Sequence, residues 1–172
     1  GGAIMDHTNR ETGTLLTGFD ITSQVNRQNM IKAGGLVKFY TIEFRTFEVL
    51  NNSSTGFEPA IPPEGTPNHV YFDERPTEIS AYIQDKMEFD YMVVNLGIRF
   101  DYFDANSTFP SDYGRPTTSE KTNTSSNWQL SPRFGIAYPI SESGVVHVSY
   151  GYFFQVPSFQ FLYINPDYTY NP

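Results

Sequence analysis

The chain has 172 residues, one domain's worth, and sets 11 Lys+Arg against 19 Asp+Glu for a net charge of −8. The absence of cysteine excludes disulfide scaffolds, iron–sulfur clusters, thiolate zinc sites and cysteine nucleophiles, and an acidic chain with no Lys/Arg run argues against a nucleic-acid partner. No stretch approaches the roughly 18 consecutive apolar residues of a membrane helix, yet a strand-built membrane protein passes that test, and 15 Phe, 12 Tyr and 1 Trp are more aromatics than one soluble core requires.

Gly1 to Gly13 is polar, lacks the basic and apolar regions of a signal peptide and does not begin with Met, so it reads as the interior of something longer. Alternation starts at Thr14: Leu15, Thr17, Phe19, Ile21 and Val25 take one parity, Asp20, Thr22 and Gln24 the other. That period predicts a strand. After Asn26-Arg27-Gln28-Asn29 it resumes with Ile31, Ala33, Val37 and Phe39 opposite Lys32 and Lys38, giving a first hairpin over residues 14–44. A second, over 77–104, sets Ile79, Ala81, Ile83, Met87 and Phe89 and then Val94, Leu96, Ile98, Phe100 and Tyr102 against polar neighbours. A third, over 131–155, runs through Phe134, Ile136, Tyr138 and Ile140, turns at Ser141-Glu142-Ser143-Gly144, and returns through Val146, Val148, Tyr150, Tyr152 and Phe154.

The expected fold is therefore all-β, an antiparallel up-and-down meander of about six strands. Short turns alternate with long polar connections over 45–76, 105–130 and 156–172. Such lengths are unusual in a compact soluble domain, but a membrane barrel joins its strands by short periplasmic turns and long outer loops. A secreted β-sandwich produces the same alternation, so composition must discriminate. Aromatics near strand ends (Phe89, Tyr102, Tyr138, Tyr152, Phe154) suit the two membrane interfaces. The opposite parity carries Arg99, Asp101, Arg133 and His147 among small residues, as a wet lumen requires. Asp85 falls on the apolar parity; either it lies low on its strand or a bulge shifts its register.

Four stretches resemble the barrel of a TonB-dependent outer-membrane receptor of the Bacteroidota type: Ile79 to Lys86, Asn95 to Tyr102, Ser131 to Pro139, and Ser149 to Pro157. Their order and spacing extend the similarity over about Thr14 to Pro166. The resemblance implies a Gram-negative outer-membrane location and a nutrient transporter whose N-terminal plug is worked through the TonB complex. Its partners would be the lipid bilayer, the remaining strands and plug of the parent barrel, and a surface lipoprotein. Barrels of this kind need about 22 strands, and six cannot close even the smallest known bacterial form of about eight. The expectation is a segment of a larger polypeptide, with plug and TonB-contacting segment elsewhere.

No phosphate loop, dinucleotide fingerprint, His-Glu-x-x-His or nucleophile elbow occurs, so neither enzymatic chemistry nor a cofactor is expected. His7, His69 and His147 are too dispersed to predict a metal site. Asp101 and Asp104 offer oxygen ligands for calcium, against the plainer reading of a solvated strand end. The aromatic tail from Phe153 to Tyr170 suits either ligand stacking or loop packing, packing being preferred. Two other functions stay open: an outer-membrane structural or adhesin barrel, and a carbohydrate-binding sandwich.

Overall fold

Alternating residues fold into one curled antiparallel sheet with the form of half a barrel. The structure, a computed structural model, describes residues 5–163 except 52, 67, 113, 116 and 117. Pro67 of the first connection and residues 164–172 of the aromatic tail and last connection lie outside the described residues. The strands are β1 (Asp6–Gln24), β2 (Asn29–Glu48), β3 (His69–Glu74), β4 (Thr77–Phe89), β5 (Met92–Asp104), β6 (Thr108–Pro110), β7 (Lys121–Asn123), β8 (Asn127–Ser141) and β9 (Gly144–Gly151), followed by a short helix α1 (Phe159–Tyr163). The sheet runs β1-β2-β4-β5-β8-β9, with β3 added to β2 and a small β6-β7 ribbon apart.

Local chemistry closes each hairpin. Asn26 Oδ1 accepts the backbone N–H groups of Gln28 and Asn29, both at 2.8 Å, which folds the first turn. Asp90 and Tyr91 alone join β4 to β5, while the third turn is preceded by a one-residue bulge between Pro139 and Ser141. The rows of paired residues drift steadily against these turns. The row at the first turn, Gln24 with Met30, meets Lys86, three residues before the end of β4, and then Gly135, six residues before the end of β8. Drift of that kind is how tilted strands wind around a barrel.

Several elements depart from the alternation reading: β6, β7 and the start of β8 at Asn127 fall within the expected 105–130 connection, and α1 falls within 156–172. β1 begins at Asp6 rather than Thr14, and part of the expected 45–76 connection is strand: β3 pairs with β2 from Ile42 to Phe47. β3 and β4 keep a single register against β2, with the Tyr40 N–H donating to the Pro76 carbonyl at the join. Pro76 has no N–H to return, so the ladder loses one bond there but the strand continues.

The sequence hid this extension because the pattern changes phase along an unbroken strand. From Ile31 to Phe39 the odd positions of β2 are apolar or glycine; beyond it Thr41, Glu43 and Arg45 hold those positions, and Ile42 and Phe44 take the other face. Ile42 and Phe44 are 3% and 4% exposed, in a cluster with Val70, Phe72 and Tyr163. Below the change, Leu15, Phe19 and Ile21 are exposed, Phe19 by 61%. One ribbon thus exposes apolar side chains on its outer face below Thr41 and buries its inner face above it.

Candidate functional site

The polar face is built row by row from register. Asp20, Gly34, Tyr82, Arg99 and Ser131 fall in line across β1, β2, β4, β5 and β8, so all project to one side. The Tyr82 hydroxyl donates to Asp20 Oδ1 across Gly34, where an added Cβ would lie 2.6 Å from the Tyr82 ring. Only glycine leaves that path open. On the outer-end side of this row, Lys38 Nζ meets Glu78 Oε2 at 2.9 Å, while Arg99 Nε donates to both Asp101 oxygens at 2.8 and 3.0 Å. Arg133 and His147 stand on the same face, Arg133 diagonal to Arg99 and His147 out beside Ala137. Of the four charged residues picked out by parity, the fold brings only Arg99 and Asp101 into contact. Parity alone does not mark Lys38, Glu78, Asp20 and Tyr82 as partners, because cross-strand register decides their meeting.

After Gly151 the chain leaves the sheet and crosses this face as a strap. Arg133 lies over the Phe153 ring, 5.4 Å from its centroid. Phe154, Gln155 and Val156 then cover a cavity of about 280 Å³ whose floor includes Lys38, Glu78, Ser80, Arg99 and Asp101. Beyond it α1 packs Phe159 edge-on to Tyr40 at 4.8 Å and Tyr163 against Phe72 at 5.6 Å. The Tyr163 hydroxyl donates to the Ala105 carbonyl at 2.8 Å. Burial, reinforced by the negative charges of Glu74 and Asp104, pushes the Tyr163 phenol up, so it stays a donor. Burial also pushes the Glu74 carboxyl up, although the Ser107 hydroxyl donates to it at 2.6 Å.

On the apolar face stand Phe89, Tyr102, Tyr138 and Tyr152, all substantially exposed except the half-buried Tyr102, and Trp128 pairs with Tyr102 in one row. Phe154 lies beyond the end of β9, on the stretch that crosses the polar face, and lines the cavity with Lys38 and Arg99. No bulge rescues Asp85, since β4 keeps one register with β2 from Thr77 to Met87. It projects among apolar neighbours, Asn29 Nδ2 donating to its Oδ2 at 2.6 Å while its Oδ1 has no partner. Asp101 and Asp104 do not converge on a cation. Three positions apart on β5, they point to opposite faces, Asp101 to Arg99 and Asp104 to the backbone N–H of Asn106. His7 and His69 flank Phe47, ring centroids 5.1 and 5.3 Å from it, and that ring separates them.

An exposed apolar belt backed by a face of ion pairs, wound with the stagger of tilted strands, defines the wall of a membrane β-barrel. The sandwich alternative is set aside, because no second sheet covers the apolar face among the described residues. The family model described as TonB dependent receptor-like, beta-barrel matches residues 3–172, and the chain belongs to that family, whose members are outer-membrane transport proteins rather than enzymes. No curated protein and no solved structure matches the chain.

Proposed function

We propose that this chain forms part of the wall of a TonB-driven nutrient transporter in a Gram-negative outer membrane, with Arg99, Asp101, Arg133 and His147 facing the lumen. Phe89, Tyr102, Tyr138 and Tyr152 sit at the membrane interfaces, and the partners are acyl chains outside, further strands at the free edges of β1 and β9, and a plug inside. Coupling to the TonB complex and docking of a surface lipoprotein belong to the rest of the receptor. The observation that carries this reading is the apolar belt: Ile83, Ile98, Leu130 and Val148 are 51%, 44%, 50% and 53% exposed on one face, while charged pairs occupy the other. Uncovered in water, such a belt with two unpaired edges invites aggregation. In a bilayer it is the expected surface.

The chain contributes no cysteine of its own, so the test needs only a background in which any cysteine outside these 172 residues is replaced. In the complete receptor, Ile83→Cys should react only with a membrane-soluble maleimide and Gln84→Cys only with a charged thiosulfonate; the reverse labelling, or equal labelling, removes the membrane reading. Transport is tested by growth on sole nutrients, with and without the receptor and with and without TonB. A nutrient that requires both supports it. An advantage that survives loss of TonB points instead to an anchor or adhesin.

A further inference from the structure

We propose that the free edge of β3 takes up one extended, basic segment of a partner polypeptide as an added strand. β4 is already paired with β5, whose ladder ends where Asp104 meets Thr77, so β3 stands above that rim with β2 as its one neighbour in the sheet. This edge is therefore separate from the outer edges of β1 and β9, where further strands of a barrel would join. Register gives its polarity. The Tyr40 N–H donates to the Pro76 carbonyl and the Glu48 N–H to the Asn68 carbonyl, both at 3.0 Å, and these two bonds bracket β3. Bonded pairs alternate along an antiparallel ladder, so Val70, Phe72 and Glu74 turn their backbone groups to β2 while Tyr71 and Asp73 aim theirs at the free edge. One end of that edge is closed by the His69 N–H donating to the Thr66 carbonyl, the other by Asn106 Nδ2 donating to the Arg75 carbonyl. Between them, the N–H and C=O groups of Tyr71 and Asp73 meet no partner among the described residues. Two residues of an antiparallel strand, spaced two apart, would satisfy all four.

Charge selects the occupant. The side chains of those two residues would lie on the face of Tyr71 and Asp73, which is also the outward face of Glu43 and Arg45. There Glu11, Glu43 and Asp73 form one cross-strand row, and like charges so placed repel. The row's one ion pair among the described residues joins Asp73 to Arg75 at 3.5 Å, with Arg75 largely in solvent. Arg45 is engaged elsewhere, by Glu64 at 3.0 Å and by the Tyr71 ring at 4.9 Å. Lys or Arg on the added strand relieves the row, and the residue between them, beside Phe72 on the inner face, is best apolar. A second copy of the same edge would instead bring two acidic rows together.

The test uses the complete receptor in a neutral detergent and a fluorescein-labelled Lys-Val-Lys-Val-Lys peptide, titrated by anisotropy. Saturable binding is expected, weakening as salt is raised, with none for Glu-Val-Glu-Val-Glu. Methylating the lysine backbone nitrogens, which would face β3, should abolish it; methylating the valine nitrogens, which would face away, should leave it within about twofold. Asp73→Asn should weaken binding about threefold. Asp73→Pro should weaken it about tenfold or more, since proline also removes an edge N–H while leaving the β2 ladder intact. Each variant must keep the heat-modifiable mobility of a folded barrel. Absence of saturable binding, equal binding of the acidic peptide, equal loss from either methylation, or indifference to Asp73→Pro each overturns the proposal. So does a receptor dimer that Asp73→Pro disperses, because the edge would then belong to a second copy. Growth assays of transport leave this result untouched, so the edge and the transporter reading stand or fall separately.

Discussion

Arginine placed on alternate positions of one ribbon should report which solvent each face meets. Ile83 lies midway along β4, in one row with Ala33 and Ile98, and is 51% exposed. If acyl chains fill that exposed half, Ile83→Arg should cost about 2–4 kcal/mol, the penalty for a guanidinium near the bilayer midplane. Its neighbour Gln84 points the other way, and Gln84→Arg should change stability by no more than about 0.5 kcal/mol. Above the phase change the ranking inverts. Thr41 faces outward into water and Thr41→Arg should be nearly silent, whereas Ile42, 3% exposed, should cost about 2–5 kcal/mol as Ile42→Ala. The measurement is guanidinium unfolding of the complete receptor in phospholipid vesicles, following the barrel transition. Equal penalties at 83 and 84 would refute lipid contact; a heavy penalty at 41 with none at 42 would refute the change of phase.

Three other outcomes follow from the same geometry. Gly34→Ala should cost about 1–3 kcal/mol by crowding Tyr82 and Asp20, and in the background of Tyr82→Ala, which removes the ring carbon 2.6 Å from the added Cβ, part of that cost should vanish, which a double-mutant cycle of melting temperatures checks. Because the folded protein holds the Glu74 proton more tightly than an unfolded chain does, docking of α1 should strengthen as pH falls through the region just above the ordinary glutamate value and weaken on return to neutrality; Glu74→Gln should erase this, read as hydrogen exchange over residues 159–163 corrected for intrinsic rates. Asp85→Leu should raise barrel stability by about 1 kcal/mol, since a carboxylate with only Asn29 to satisfy it is removed from the apolar face; a loss of stability would mean that Asp85 has a function there.

Where one solvent contrast persists along a strand, the sequence reads cleanly. Leu15 to Val25, Ile79 to Tyr102 and Phe134 to Tyr152 show their faces at a glance, and Arg99 with Asp101, two apart on one strand, is a pair that parity alone predicts. Legibility fails at Thr41 for a physical reason. The apolar face of the ribbon changes sides there, from the exposed odd positions to the buried Ile42 and Phe44, so the periodicity persists while its phase flips, and a search for continued alternation stops too early. Contacts between strands fail for another: Lys38 finds Glu78, and Tyr82 finds Asp20, only once turn lengths have set the register. Asp101 and Asp104 were separable from the start, being an odd number of positions apart. The inward course of the strap carries no local signal, because what draws Phe159 and Tyr163 inside is the vacant apolar patch of Tyr40, Phe44 and Phe72 contributed by distant parts of the chain.

The phase change at Thr41 also restricts how related genes can vary in length. Adding one residue to β2 just above Tyr40 would rotate Ile42 and Phe44 out to water and drive Glu43 and Arg45 under α1, while the lower hairpin kept its pairing. Adding two would restore the original orientation and simply raise the rim by about 7 Å along the strand. Insertions and deletions in this ribbon should therefore come in even steps, and an odd one should be accompanied by a bulge that puts the count right.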